Sequence, residues 1–151
     1  MRKIIRQREI VSDGWRYPGE AGEGTQVATL AEFLVGDGAV VQLEPGDEVE
    51  KLAPHIARLS LVVVHFPKDG EGRGFSQGQL LRQRYRYTGE LRAAGLIKRD
   101  YLFFLARCGF DAFDLHPDED LVASLVAFKT FSAAYQPSTD RGVGVRARRA
   151  G

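Results

Sequence analysis

Residues 67–77 read Pro-Lys-Asp-Gly-Glu-Gly-Arg-Gly-Phe-Ser-Gln and follow the best strand pattern of the chain, residues 59–66. Three glycines allow a close backbone approach, Arg73 offers a two-pronged guanidinium, and Ser76-Gln77 opens a helix. The unpaired N–H groups of a helix N-terminus favour an anion. The chemistry this predicts is capture of an oxyanion or phosphate group, with Arg73, Ser76 and Gln77 as donors and Lys68 beside them. The plainer alternative is a surface loop whose serine only caps the helix. The string is not a nucleotide-binding P-loop, because the Gly-Lys-Ser/Thr ending is missing. Arg92 falls on the next strand and Arg99 just beyond it, so both are candidates to join Arg73 on one basic rim. No Gly-x-Gly-x-x-Gly follows a strand, which leaves no flavin or nicotinamide fingerprint; no cofactor is expected.

Other reactive side chains carry weaker signals. Cys108 is the only cysteine. It can form no internal disulfide and no cysteine-rich metal or iron–sulfur site within one chain. A helix C-terminus disfavours a thiolate, so a buried structural thiol is expected there. His55, His65 and His116 have no second histidine or cysteine two to four residues away, and no metal site is expected. His65 ends the central strand, where a ligand would be met, although a structural histidine is the plainer role. Asp111 and Asp114 flank a strand end and offer an acid or a base without fixed geometry.

The scaffold that must position these groups alternates in pattern. Residues 1–11 read as strand, turn and strand. Thr29 caps a helix over 30–35, with Glu32 completing a capping box. Strands are predicted at 39–43, 59–66, 90–94 and 110–115. Helices are predicted at 47–53, from Ser76 to about 87, at 98–107 and from Pro117-Asp118 to 134. Gly109 fits a left-handed position after a helix. A hairpin followed by repeated β-α units predicts an α/β fold with a mainly parallel sheet. The sheet is expected to be open and doubly wound; a half-barrel is the alternative, because spacing does not tell whether the sheet curls. One α/β domain is expected over residues 1–136, with a mobile basic tail over 137–151.

Charge is segregated along the chain. The 151 residues carry a net charge of +1, but residues 73–107 hold eight basic and two acidic side chains. Residues 21–60 hold two basic and seven acidic, and residues 108–140 one and six. This pattern points to a partner. The near-neutral total and the acidic flanks argue against nucleic acid. No apolar run, Leu61 to Val64 included, is long enough to cross a bilayer, and the first residues carry no secretory pattern. A cytoplasmic location is expected.

Several strings, taken in order, resemble one bacterial family. They are Phe66-Pro67, Gly72-Arg73-Gly74-Phe75-Ser76-Gln77, Leu80-Leu81-Arg82-Gln83-Arg84-Tyr85 and Gly89-Glu90-Leu91-Arg92-Ala93. Arg99-Asp100, Arg107-Cys108-Gly109-Phe110-Asp111-Ala112-Phe113 and Tyr135-Gln136-Pro137 complete the set. The family is one of unknown function whose members carry the name of oxidoreductases involved in sulfite reduction and are encoded beside sulfite reductase. The resemblance implies an accessory protein of assimilatory sulfite reduction. Its partner would be sulfite reductase or another protein of sulfate assimilation. Sulfite and sulfate are oxyanions, which suits Arg73, Arg92 and Arg99.

Overall fold

The computed structural model describes residues 2–68 and 72–134, and for 131–134 the backbone alone. The middle of the glycine-rich loop, the final matched string and the expected basic tail lie outside the described residues. Strand β1 (Arg2–Arg6) and strand β2 (Glu9–Asp13) form the N-terminal hairpin. Five parallel strands follow: β5 (Ala28–Thr29), β6 (Val40–Leu43), β7 (Leu61–Phe66), β8 (Glu90–Gly95) and β9 (Ala112–Asp114). Between hairpin and sheet runs a strap in which β3 (Trp15–Arg16) pairs in parallel with β4 (Thr25–Gln26). The main sheet is ordered β2-β1-β9-β8-β7-β6-β5, with β1 antiparallel to β9.

That order corrects the expected doubly wound sheet in favour of the half-barrel-like alternative. A doubly wound sheet reverses direction part-way, so that helices fall on both faces. Here the parallel strands advance from β5 to β9 without reversal. Crossovers of one hand then put every helix on the same face, as in a half-barrel. Burial agrees. Val62, Val64, Phe66, Leu91 and Phe113 share one core with residues from all the helices, among them Phe33, Leu52, Leu81, Leu105 and Phe128. The alternate residues Leu61, Val63 and Ala94 form a smaller cluster with Val27, against which Trp15 and Tyr17 of the strap pack.

Local sequence explains most of the elements. Helix α1 (Leu30–Val35) starts at the expected capping box: Glu32 N–H donates to Thr29 Oγ1 (3.2 Å), and Thr29 N–H donates to Glu32 Oε1 (2.9 Å). The helix predicted at 47–53 is instead a 3-10 helix, Val49–Arg58, with Pro54 inside it. Proline has no N–H to donate, so the regular α ladder is interrupted there. Helix α2 (Gly72–Gln79) begins four residues before Ser76 and widens into a π-helix, Leu80–Arg84, where Tyr85 N–H donates to Leu80 O (3.1 Å). A 3-10 turn, Arg99–Tyr101, leads into α3 (Leu102–Arg107), and Gly109 takes φ +108° just past its end. Helix α4 (Leu121–Ala134) is started by Asp120, whose Oδ1 accepts from Ala123 N–H (3.0 Å).

Candidate functional site

The sheet face beneath the strap is polar in a way the helix-covered face is not. Arg2, Arg6, Asp13, Gln42, His65, Glu90, Arg92 and Asp114 all follow its alternation and register. Arg92 has no exposed surface. It donates from both terminal nitrogens to Asp13 (2.9 and 3.0 Å) and from Nε and one terminal nitrogen to Glu90 Oε2 (2.9 and 2.7 Å). It also reaches the Tyr17 hydroxyl at 3.3 Å. Burial alone would lower the Arg92 pKa; the hydrogen bond to Asp13, with Tyr17 and Glu90, more than offsets this and holds it above the ordinary value.

The network continues to the carboxyl ends of the strands. Tyr17 donates its hydroxyl to Asp114 Oδ2 (2.8 Å), and Arg2 Nε lies 3.2 Å from the same oxygen. Arg2 also pairs with Glu20 and lies over the Tyr17 ring. Burial, and next the charge of Asp114, push the Tyr17 hydroxyl far up. Burial likewise raises Asp114; the Tyr17 hydrogen bond and the charges of Arg2 and Arg92 only partly reverse it.

A cleft of about 340 Å³ opens here, lined by Arg2, Tyr17, Glu20, Gln42, His65 and Asp114. Its floor follows from register. His65 pairs with Ala94, and Ala94 with Asp114, so all three stand in one row on one face. Two strand spacings, about 10 Å, separate the backbones of His65 and Asp114. Alanine between them leaves the space open. His65 Nδ1 is held by Glu44 Oε1 at 2.7 Å, and Gln42 donates to the other oxygen of Glu44 at 2.8 Å. The Nε2 of His65 is thus the ring nitrogen left for a ligand. Gly95 makes room for this ring. It takes φ +112°, and a Cβ there would meet Phe66 O at 2.5 Å and His65 Cδ2 at 3.0 Å. An oriented histidine facing a tyrosine–aspartate pair can bind a polar ligand and exchange protons with it.

The residues singled out from sequence for an anion site are placed elsewhere, and only three of the five together. Arg73, Ser76 and Gln77 line a different cleft of about 750 Å³, whose lining also includes Asp47, Glu48 and Glu50. Ser76 lies in the second turn of α2 rather than at its cap. Gln77 is buried and donates to Glu44 O (2.9 Å) and Asp47 O (3.1 Å), tying α2 to the turn after β6. Arg92 is spent inside the sheet network, and Arg99 is exposed in the 3-10 turn before α3, lining neither cleft. The expected single rim of Arg73, Arg92 and Arg99 is therefore absent. Gly74 serves packing rather than a ligand, since a Cβ on it would fall 2.4 Å from the Phe66 ring. Cys108 is buried, as its position predicts, and burial raises its pKa.

Of the polar groups of the 340 Å³ cleft, the sequence offers His65 and Asp114 but not Arg2, Tyr17, Glu20 or Gln42. Tyr17 and Asp114 are 97 residues apart. The one available signal is that Gln42, His65 and Asp114 are polar residues at the carboxyl ends of otherwise apolar strands.

The family described as "Bacterial protein of unknown function (DUF934)" matches residues 40–145. The chain belongs to this family. No curated protein and no solved structure matches it. The DUF934 match spans β6 to α4 and so includes Gln42, His65 and Asp114. Arg2, Tyr17 and Glu20 precede it. No helix among the described residues of this DUF934 chain is long and apolar enough to cross a membrane.

Proposed function

We propose that this DUF934 chain is an accessory protein of assimilatory sulfite reduction that docks on sulfite reductase or another protein of that pathway. The pathway comes from the family resemblance of the strings between Phe66 and Pro137. Docking rests on one structural observation. Helix α4 reads Leu-Val-Ala-Ser-Leu-Val-Ala-Phe over its first eight residues and is apolar around its circumference. Its inner side buries Ser124 and Phe128, while Val122 and Val126 remain 63% and 58% exposed. These two are one turn apart and share a face. A helix apolar on all sides belongs in an interior, and an outward apolar stripe suits a partner surface.

The test is co-purification of tagged protein with sulfite reductase, and growth of a deletion strain on sulfate against growth on cysteine. Association lost in the Val122→Asp/Val126→Asp variant, with a growth defect on sulfate alone, is expected. No association and unimpaired growth on sulfate would end the proposal.

A second reading, a binding domain for a small polar metabolite, is favoured by the cleft over Ala94. It lies where α/β sheets bind ligands, beyond the carboxyl ends of parallel strands. The form of this reading built on Arg73, Ser76 and Gln77 as an oxyanion or phosphate site has less support. Asp47, Glu48 and Glu50 line that cleft and oppose an anion.

A further inference from the structure

The sheet ends in an open strand edge. Strand β2 pairs with β1 alone. A two-residue turn, Gln7-Arg8, joins them, so the flanking pair Arg6 and Glu9 exchanges hydrogen bonds across the hairpin. Antiparallel pairs alternate, and Val11 and Asp13 therefore also turn their backbone groups to β1. Gln7 N–H, which donates to Asp111 O on the far side of β1 (3.0 Å), fits the same alternation. The N–H and C=O groups of Ile10 and Ser12 are then left on the free side of β2. Among the described residues, no backbone bond from beyond the hairpin reaches them. Helix α4 packs on both β1 and β2 and so flanks this edge. At about 100° per residue, Val122, Val126 and Lys129 share one flank of α4, beside the inner side that holds Ser124 and Phe128. With right-handed crossovers, a right-handed helix running back along β9 turns that flank away from α3 and towards the β2 edge. An unpaired strand and two exposed valines thus lie at one margin of the molecule.

We infer that this margin pairs with a second copy of the chain across a two-fold axis, β2 against β2 and α4 against α4. An antiparallel pairing centred on Val11 sets Ile10 of each copy opposite Ser12 of the other, and four N–H···O=C bonds close the edge. Glu9 falls opposite Asp13 of the second copy, whose charge Arg92 already holds. The same axis brings the two α4 helices together antiparallel. Strands lie about 4.8 Å apart, so a helix seated over β1 and β2 stands about 5 Å from an axis at the edge, and the two helices about 10 Å from each other, the distance of packed helices. Charge is complementary in that arrangement. The start of α4 carries Asp118, Glu119 and Asp120. Its later half carries Lys129, with Arg8 over the Phe128 ring. Antiparallel helices set the acidic end of each beside the basic end of the other. The two valines are those of the docking proposal, but the inference does not rest on its partner. A docked partner would take the place of the second copy.

The test begins with analytical ultracentrifugation of the purified full-length protein across micromolar concentrations. A species of twice the 16.7 kDa of one chain is expected, and monomer throughout would overturn the inference. The pairing itself is read by cross-linking. Val11 meets its own copy as a non-hydrogen-bonded pair, with Cα atoms about 4.5 Å apart, within the span of a disulfide. Val11→Cys should therefore oxidise to a covalent dimer. Ser60→Cys, exposed just before β7, should not, and Cys108 is buried in both. A dimer in which Val11→Cys links no faster than Ser60→Cys would also overturn the inference. Ser12→Pro removes an outward N–H and leaves the β1 ladder intact. It and Val122→Asp/Val126→Asp should each weaken the dimer about tenfold or more while keeping a cooperative melt. A dimer indifferent to both variants counts against the pairing as drawn. If the protein is a monomer yet binds sulfite reductase through the valines, docking stands and the second copy falls. If the cross-linked dimer forms and no sulfite reductase binds, the dimer stands and docking falls.

Discussion

Arg92 puts a full positive charge on a side chain with no exposed surface, and its place in the sequence hides this. In the string Glu90-Leu91-Arg92-Ala93 it looks like one more arginine of a basic segment. Its partner Asp13 lies 79 residues earlier, so only the closed sheet reveals the pairing. Removing one member of a buried pair strands the other, a loss of about 3–5 kcal/mol, whereas replacing both by apolar groups recovers much of it. Arg92→Met should therefore destabilise by that amount in urea unfolding, and Asp13→Leu/Arg92→Met should be closer to wild type than Arg92→Met alone. Asp114 gives a prediction of opposite sense. Its folded pKa lies above 3.8 because burial outweighs its partners. A carboxylate raised in the folded state contributes stability below its unfolded pKa and loses it as pH rises through the folded value. Asp114→Asn should thus be at least as stable as wild type at neutral pH. The two should converge as pH falls towards 4, read from urea midpoints across the range.

At the level of elements, what can be read from sequence is what is local. The capping box at Thr29 and Glu32, the apolar run around β7 and the left-handed Gly109 each depend on neighbours within a few residues. All three are legible for that reason. The glycine-rich string before Phe75 is misleading on the same grounds, because its meaning depends on a distant strand. Gly74 and Gly78 are four residues apart on one side of α2, against the rings of Phe66 and Phe110. The bare backbone lets α2 lie close on the sheet, which moves its start ahead of Ser76 and removes the expected cap. A Cβ at Gly74 would sit 2.4 Å from a buried ring carbon, and one at Gly78 equally close to Phe110. Overpacking of this kind typically costs about 1–3 kcal/mol. Gly74→Ala should lower the urea midpoint accordingly, while Gly72→Ala, which meets nothing within 4 Å, should leave it unchanged or slightly raised.

The whole molecule changes the meaning of the charge pattern. As a string, residues 73–107 form a net +6 block between acidic flanks, which suggests a basic face seeking an acidic partner. Folding spends part of that block internally. Arg92 is neutralised by Asp13 and Glu90, and Arg82 donates to the carbonyls of Tyr87, Gly89 and Gly109 near Asp111. Arg84 lines a cleft that Asp47, Glu48 and Glu50 share. The polar face of the singly wound sheet is thus turned inward under the strap, and α4 presents valines outward. Attraction between exposed charges fades as the screening length falls from about 10 Å at 0.1 M salt to 3 Å at 1 M, whereas apolar burial does not. If α4 is the docking surface, affinity for the partner should change less than about threefold between 0.1 and 0.5 M sodium chloride, measured by titration calorimetry. It should fall steeply in Val122→Asp/Val126→Asp at both salt concentrations. A fall of tenfold or more with salt in the wild-type protein would instead assign docking to the arginines left at the surface, Arg73, Arg84 and Arg99 among them.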